Sequence, residues 1–326
     1  MITEHDTTFL SMGCDVRLLI GKPLRVGDPQ PEHAALEQRA FIEGFASRFS
    51  RFLPGSELSA LNGDTRPAVA AGPLLRALVR AGVWAAGHSG GLVDPTLVSE
   101  IEAAGYAQSR VGAEPASLEE ALAGAPVRRS AQPDARTRWR QIAVDDRAGV
   151  VRRPPGVRID SGGFGKGLVA DLVAFQLAGY SRYVVDCGGD LAIGGIESLV
   201  RPFEVEVRHP LTRETVARTV VSSGGVATSG LDVRVWRTPD GYAHHLLDPS
   251  TGLPAWTGLI GVTALGASAL EAETLAKTAL LLGPTGARRV LARHGGFAVH
   301  DSGDVEPIGP VDRPTPLRLR LPGVYA

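Results

Sequence analysis

The chain reads as an α+β protein, and three observations predict it. Strand-like and helix-like segments mix without a regular βαβ rhythm, which disfavours a doubly wound sheet. Phe203, Val205 and Val207 alternate with charged residues, as on a half-buried antiparallel strand. Helical spacing is confined to a few stretches closed by Gly or Pro. With 326 residues there is enough chain for one large or two ordinary domains, with a core that needs no staples.

A first strand is expected over residues 12–20, ending in Leu18-Leu19-Ile20. Residues 31–47 carry Leu36, Ala40, Phe41 and Phe45 at helical spacing. A second helix runs from Pro73 to about His88, where Gly90-Gly91 stops it. Residues 112–137 are rich in Ala, Pro, Glu and Arg around a short helical patch at 118–123, and read as a mobile insertion or linker within a single domain of 1–326 that has room for two lobes. Residues 157–160 look like a strand end, and 168–178 like a helix. Short strands at 183–186 and 191–193 flank Gly188-Gly189. The segments VATSG (226–230) and AHHLLDPSTGLP (243–254) read as loops. A late helix spans 270–282 and is expected to stop at Gly283-Pro284, an αL-tolerant residue followed by one without a donor.

Composition excludes several functions. A 44% hydrophobic, 21% charged chain is a folded globular protein. Net charge is −1 and no dense Lys/Arg run appears, which argues against nucleic-acid and anionic-membrane partners. The pairs Arg128-Arg129 and Arg152-Arg153 read as solvated loop charges. Cys14 and Cys187 are too few and too separated for a disulfide framework or a zinc site, and Cys187 reads as a buried reduced thiol. The first residues lack an apolar leader core, and no apolar stretch approaches the roughly 20 residues of a span. The expectation is a soluble, cytoplasmic protein.

The densest signal is Asp160-Ser161-Gly162-Gly163-Phe164-Gly165-Lys166-Gly167, between a strand-like and a helical segment. Missing Cβ atoms let a phosphate approach the backbone, free N–H groups and the helix dipole favour an anion, and Lys166 adds a point charge. Spacing excludes two familiar loops. A P-loop needs Gly and Ser/Thr where Asp160 and Gly167 stand, and the dinucleotide fingerprint needs Gly where Leu168 stands. By itself the loop is either a phosphate cradle or a turn that packs a helix on a sheet. His245 is likewise either a surface residue or a base able to take a proton from a hydroxyl, with Asp248-Pro249-Ser250-Thr251-Gly252 forming the turn that fixes it.

Taken together and in order, seven segments resemble the ApbE-type FAD:protein FMN transferase family. Met12-Gly13-Cys14 is similar to its Met-Gly-Thr, and FSRFLPGSELSALN (49–62) to its FSxYxPxSELSxLN. GLVDPT (91–96) resembles G-x-F-D-P-T, IDSGGFGKG (159–167) resembles LDLGGIAKG, and VVDCGGDLAIGG (184–195) resembles VNxGGDIxxxG. VATSG and HLLDPSTGLP (245–254) complete the set, across roughly residues 9–285. The resemblance implies mixed and antiparallel sheets flanked by helices, with FAD in a cleft. It implies transfer of the FMN half of FAD to a threonine or serine hydroxyl of a target flavoprotein, with loss of AMP. By residue, it puts Met12, Phe52, Val93, Asp94, Asp160, Lys166 and Leu247 on FAD, makes His245 the base, and makes the Gly163 carbonyl a ligand of Mg²⁺.

The sequence departs from that pattern where the metal should be. Counting back from Gly283, the family's Asp and Thr ligands correspond to Glu273 and Lys277. A glutamate can still reach a metal, but an ammonium has no lone pair to offer. Either the two form an i,i+4 helix-surface ion pair, or Lys277 takes part of the metal's place and neutralises the diphosphate itself. Phe52 replaces a tyrosine, and Ala243-His244 precede His245 where Tyr-Ser is usual. The altered metal position leaves Mg²⁺ in question and keeps two further functions open: hydrolysis of FAD to FMN and AMP, and binding of FAD without turnover.

Overall fold

The structure, a computed structural model, describes residues 4–311. Its centre is one sheet of eight strands in chain order: β1 (His5–Ser11), β2 (Cys14–Ile20), β3 (Tyr183–Cys187), β4 (Asp190–Gly194), β5 (Gly224–Gly230), β6 (Leu259–Gly266), β7 (Gly296–His300) and β8 (Val305–Ile308). Every neighbouring pair is antiparallel. The predicted first strand is therefore the second half of a hairpin. Met12 and Gly13 leave it to form the two-residue turn, with φ of 51° and 73°. Left-handed backbone at both positions gives such a turn the twist of its strands.

Period-2 alternation sends the two faces of the sheet to different covers. Val16 pairs with Cys187, Leu18 with Val185 and Ile20 with Tyr183. These residues join Ile42, Phe45, Leu78, Leu168 and Val173 in a core beneath the helices Pro31–Phe49, Pro73–His88 and Gly165–Gln176. Leu19, Val184, Ile193, Val226 and Leu265 face the other way, onto Phe203, Val205 and Val221. Those three come from an antiparallel hairpin, Phe203–Arg208 with Thr215–Val221. A second core lies where helix Ala269–Leu291 covers β6 and β7, and it takes in Leu118, Ala121 and Ala131. The stretch 112–137 is tied to this core by Arg129 N–H donating to Trp256 O at 2.9 Å and Ala131 N–H to Leu281 O at 2.8 Å.

Helix Pro73–His88 has the expected bounds, with Pro at its first turn. Three expectations need correction and a fourth needs extending. VATSG is not a loop but most of β5, a strand of small residues because Gly225 lies where a Cβ would come within 2.2 Å of Ser268 O. Residues 157–160 form no ladder. Asn62 takes a partner strand's role there, accepting from Ile159 N–H at 2.7 Å and donating to Ile159 O at 2.8 Å. The late helix ends at Gly283 as expected, but the helical run does not. That residue, at φ 70° and ψ −173°, breaks the helix, and Pro284 starts a further stretch to Leu291. Arg153 is buried rather than solvated, and donates to the carbonyls of Leu61 and Asp64 at the C-terminal end of the short helix Glu57–Gly63. Among the described residues no helix is long and apolar enough to cross a membrane.

Candidate active site

The glycine loop leads directly into helix Gly165–Gln176, whose first turn carries Lys166. Gly167 makes the site possible. A Cβ there would fall 2.6 Å from Ala269 O and 2.8 Å from Leu270 Cα, so only glycine lets the start of the late helix touch this one backbone to backbone. Contact at that range brings Glu273 Oε2 within 2.8 Å of the Gly167 N–H. Asp171, on the same helix, accepts from Ala269 N–H at 2.8 Å and Leu270 N–H at 3.0 Å, capping the late helix beside Ser268, whose hydroxyl takes the Glu271 N–H at 3.2 Å. Burial pushes the Asp171 carboxyl up to about 6, against the pull of those two amides.

Around this joint sit two cations and two carboxylates. Lys166 Nζ donates to Asp190 on β4, and Lys277 Nζ donates to Glu273 Oε1 at 2.8 Å. Asp190 and Glu273 are fully buried. Burial works against the charge on Lys166, but Asp190 and Glu273 outweigh it and hold the ammonium above its ordinary range. Burial likewise raises Asp190 to about 6, with Lys166 pulling down and Glu273 pushing up. Asp190 Oδ1 has no donor among the described residues, and the charge of Lys277 acts on it.

Of the other residues singled out from sequence, Asp160 and Val93 lie at the loop, and Met12, Phe52 and Leu247 pack in apolar clusters. Asp160 accepts from Gly162 N–H at 3.2 Å, pairs with Arg51 at 3.4 Å, and gives its own N–H to Pro95 O at 2.9 Å. Val93 lies against Gly163, where a Cβ would meet its Cγ1 at 3.4 Å. Asp94 accepts from Thr96 N–H at 2.8 Å and Thr96 Oγ1 at 2.6 Å, while its Oδ2 is buried without a partner among the described residues and burial raises its carboxyl. Phe52 and Leu247 share an apolar cluster with Tyr106 and Trp236, the Phe52 ring lying 5.4 Å from that of Tyr106. Arg51 stacks over Phe52 at 4.1 Å. Met12 packs against the helix-covered core, and Cys14, after the same turn, feels the charge of Lys166.

The two histidines differ. His244, at the end of strand Gly241–His244, is fully buried edge-on against Trp256 at 4.6 Å, and burial pushes its imidazole down to about 3. His245 is half-buried just beyond that strand, and its Nδ1 has no hydrogen-bond partner among the described residues. Burial first, then His244, Arg234 and Lys277, holds its imidazole well below the ordinary value. His245 is therefore neutral near pH 7 with an open nitrogen, the state a general base needs. Arg234, whose carbonyl accepts the His245 N–H at 3.3 Å, donates its guanidinium to the Tyr106 hydroxyl.

These residues do not fit Mg²⁺. The ion wants several hard oxygen ligands in an octahedron. Both Glu273 oxygens are already taken, one by Lys277 and one by the Gly167 amide. Lys277 has no lone pair, and the Gly163 carbonyl alone is a poor donor set. Among the described residues no group of three His, Cys, Asp or Glu side chains could hold a metal. The ion pair foreseen for Glu273 and Lys277 is present, but it is buried rather than on the helix surface.

Sequence reasoning missed Asp171, Asp190 and Arg234. Asp171 carried a signal, a lone acid in the apolar run LVADLVAF, and Asp190 stood in the GGD motif. Arg234 carried none, since its importance depends on which residues the fold sets beside it.

The ApbE family model matches residues 12–300. The FAD:protein FMN transferase of Salmonella typhimurium is 30% identical over 168 residues, 49% of this chain and 48% of that protein, so the chain spans about half the length of that relative. The enzyme of the same name from Treponema pallidum is 27% identical over 307 residues, covering 86% of this chain and 80% of its own. The crystal structure of the ApbE protein of Thermotoga maritima superposes with a TM-score of 0.74 at 23% identity, covering 94% of this chain and 97% of that one, which speaks for the fold. With the family model matched across nearly the whole α+β architecture, the chain belongs to the ApbE family.

Proposed function

We propose that this protein is an FAD:protein FMN transferase. FAD lies with its diphosphate at the loop of Gly163 and Lys166, in contact with Met12, Phe52, Val93, Asp94, Asp160 and Leu247. His245 takes the proton of a threonine or serine hydroxyl on a target flavoprotein. That oxygen attacks the phosphorus on the FMN side, a new P–O bond forms, the bond to the bridging oxygen breaks, and AMP leaves with that oxygen. The product is a phosphodiester between flavin and protein, and the proton rests on His245 until solvent takes it. The observation that carries the reading is the open Nδ1 of a neutral His245 beside Arg234 and Lys277. Cations fixed near the reacting phosphorus stabilise charge that grows in the transition state.

The reading treats residues 1–326 as one transferase domain, with 112–137 an insertion packed on its second core. It includes a cytoplasmic location, in keeping with two free cysteines. The test is to incubate the full chain with FAD and a flavoprotein bearing an exposed Thr or Ser acceptor, then weigh the acceptor and assay AMP. A gain of one FMN with release of AMP is expected. AMP without a gain would make the protein a hydrolase, and retained intact FAD without AMP would make it a binder.

A further inference from the structure

If FAD binds where the proposed function puts it, its diphosphate brings clustered negative charge into a site that does not suit a divalent ion. Something else must offset that charge. Lys277 has three N–H donors, one of which is used on Glu273. Among the described residues its other two have no acceptor. Its side chain is 10% exposed, so the ammonium is walled in on the protein side. Arg234 is a second cation, and unlike Lys277 it has no carboxylate partner among the described residues. It binds a neutral hydroxyl, and its Nη2 would lie 3.3 Å from a Cβ on Gly13, in the turn next to Met12. Another cation, Arg51, acts on it unfavourably, and burial pulls its guanidinium down from its ordinary value. A buried ammonium and a half-buried guanidinium without full pairing are costly, and a bound anion removes the cost. The charges of both act on His245, the residue proposed to face the reacting phosphorus.

We propose that Lys277 and Arg234, together with Lys166, hold the diphosphate of FAD as fixed cations, so that FAD binding by this chain needs no divalent ion. Glu273, a metal ligand elsewhere in the family by resemblance, here orients the Lys277 ammonium. Arg234 thereby becomes a substrate-binding residue.

The experiment is titration of FAD into the full chain, followed by calorimetry and by quenching of flavin fluorescence, once in EDTA and once in excess Mg²⁺. The Kd is expected to agree within about twofold between the two. Arg234→Gln is expected to weaken binding by about tenfold or more in EDTA, the usual scale for losing one partner of a buried charged contact. Lys277→Thr leaves Glu273 unpaired and can fail to fold, so the double variant Glu273→Gln/Lys277→Met, which removes both charges at similar volume, serves beside it with the same expected loss. The pair Glu273→Asp/Lys277→Thr, which rebuilds the ligand types of the family, is expected to make FAD affinity rise with Mg²⁺. Wild-type binding only in Mg²⁺, or undiminished binding by Arg234→Gln and the neutral double variant in EDTA, overturns the proposal and leaves the transferase reading standing. No FAD uptake under either condition overturns both.

Discussion

Two groups of residues at the candidate site treat charge in opposite ways. On the side of the helix joint, Lys166 is matched by Asp190, Lys277 by Glu273, and the free amides of Ala269 and Leu270 by Asp171. On the side of the second histidine, among the described residues His245 Nδ1 is buried without a partner and Arg234 donates only to a phenol. On the matched side the carboxylates of Asp171 and Glu273 fix two helices against each other, a structural task, and Asp190 and Glu273 hold the two ammonium groups in place. The unmatched side keeps polar atoms ready at an energetic cost, which a protein sustains where a ligand will meet them. The contrast separates residues whose loss should unfold the site from residues whose loss should silence it.

The largest effect is expected at the open side. His245→Ala should lower FMN transfer by about 10²–10⁴-fold, the scale of removing a general base, while FAD affinity changes by less than about twofold. Stopped-flow transfer assays beside FAD titration check this, and a parallel loss of binding would move His245 to the structural side. Because its pKa is depressed, the imidazole stays deprotonated below the ordinary histidine value of about 6.5. Transfer by the wild type should therefore hold level from pH 8 down to about 6.5 and fall only beneath that. A decline already centred near 7 would show that another group supplies the base.

A smaller effect, of the other kind, is expected at the matched side. Asp190→Asn removes the carboxylate that Lys166 donates to and leaves only the more distant charge of Glu273, and should destabilise the fold by about 2–3 kcal/mol in urea unfolding. That is below the range for a fully buried pair, because the Lys166 side chain keeps 28% of its exposure. Stability unchanged within about 0.5 kcal/mol would put Asp190 among the ligand-facing groups and blur the contrast between the two sides.

Much of this was legible in the chain itself. Pro73 and the Gly90-Gly91 pair bound a helix through local backbone chemistry, and the structure gives it those limits. The segments carrying Val93, Asp160, Lys166 and Glu273 are local too, and the fold brings them to one joint. What stayed hidden depends on distant parts of the chain. VATSG looks like a loop because small residues favour turns, but it is most of β5, and Gly225 just before it lets that strand lie against Ser268. Gly283-Pro284 has the chemistry of a helix end. It is also the chemistry of a helix start, with Pro in the first turn, and local sequence does not choose between them. Asp190 and Arg234 matter through the partners they have or lack, which are set by topology.

The most direct test of the account is a crystal of the full chain soaked with FAD in the presence of EDTA. The account predicts the diphosphate against the Gly163 loop, contacted by Lys166, Lys277 and Arg234, with the FMN phosphorus facing His245. A diphosphate bound away from Lys166, or His245 turned from the FMN phosphorus, would contradict it.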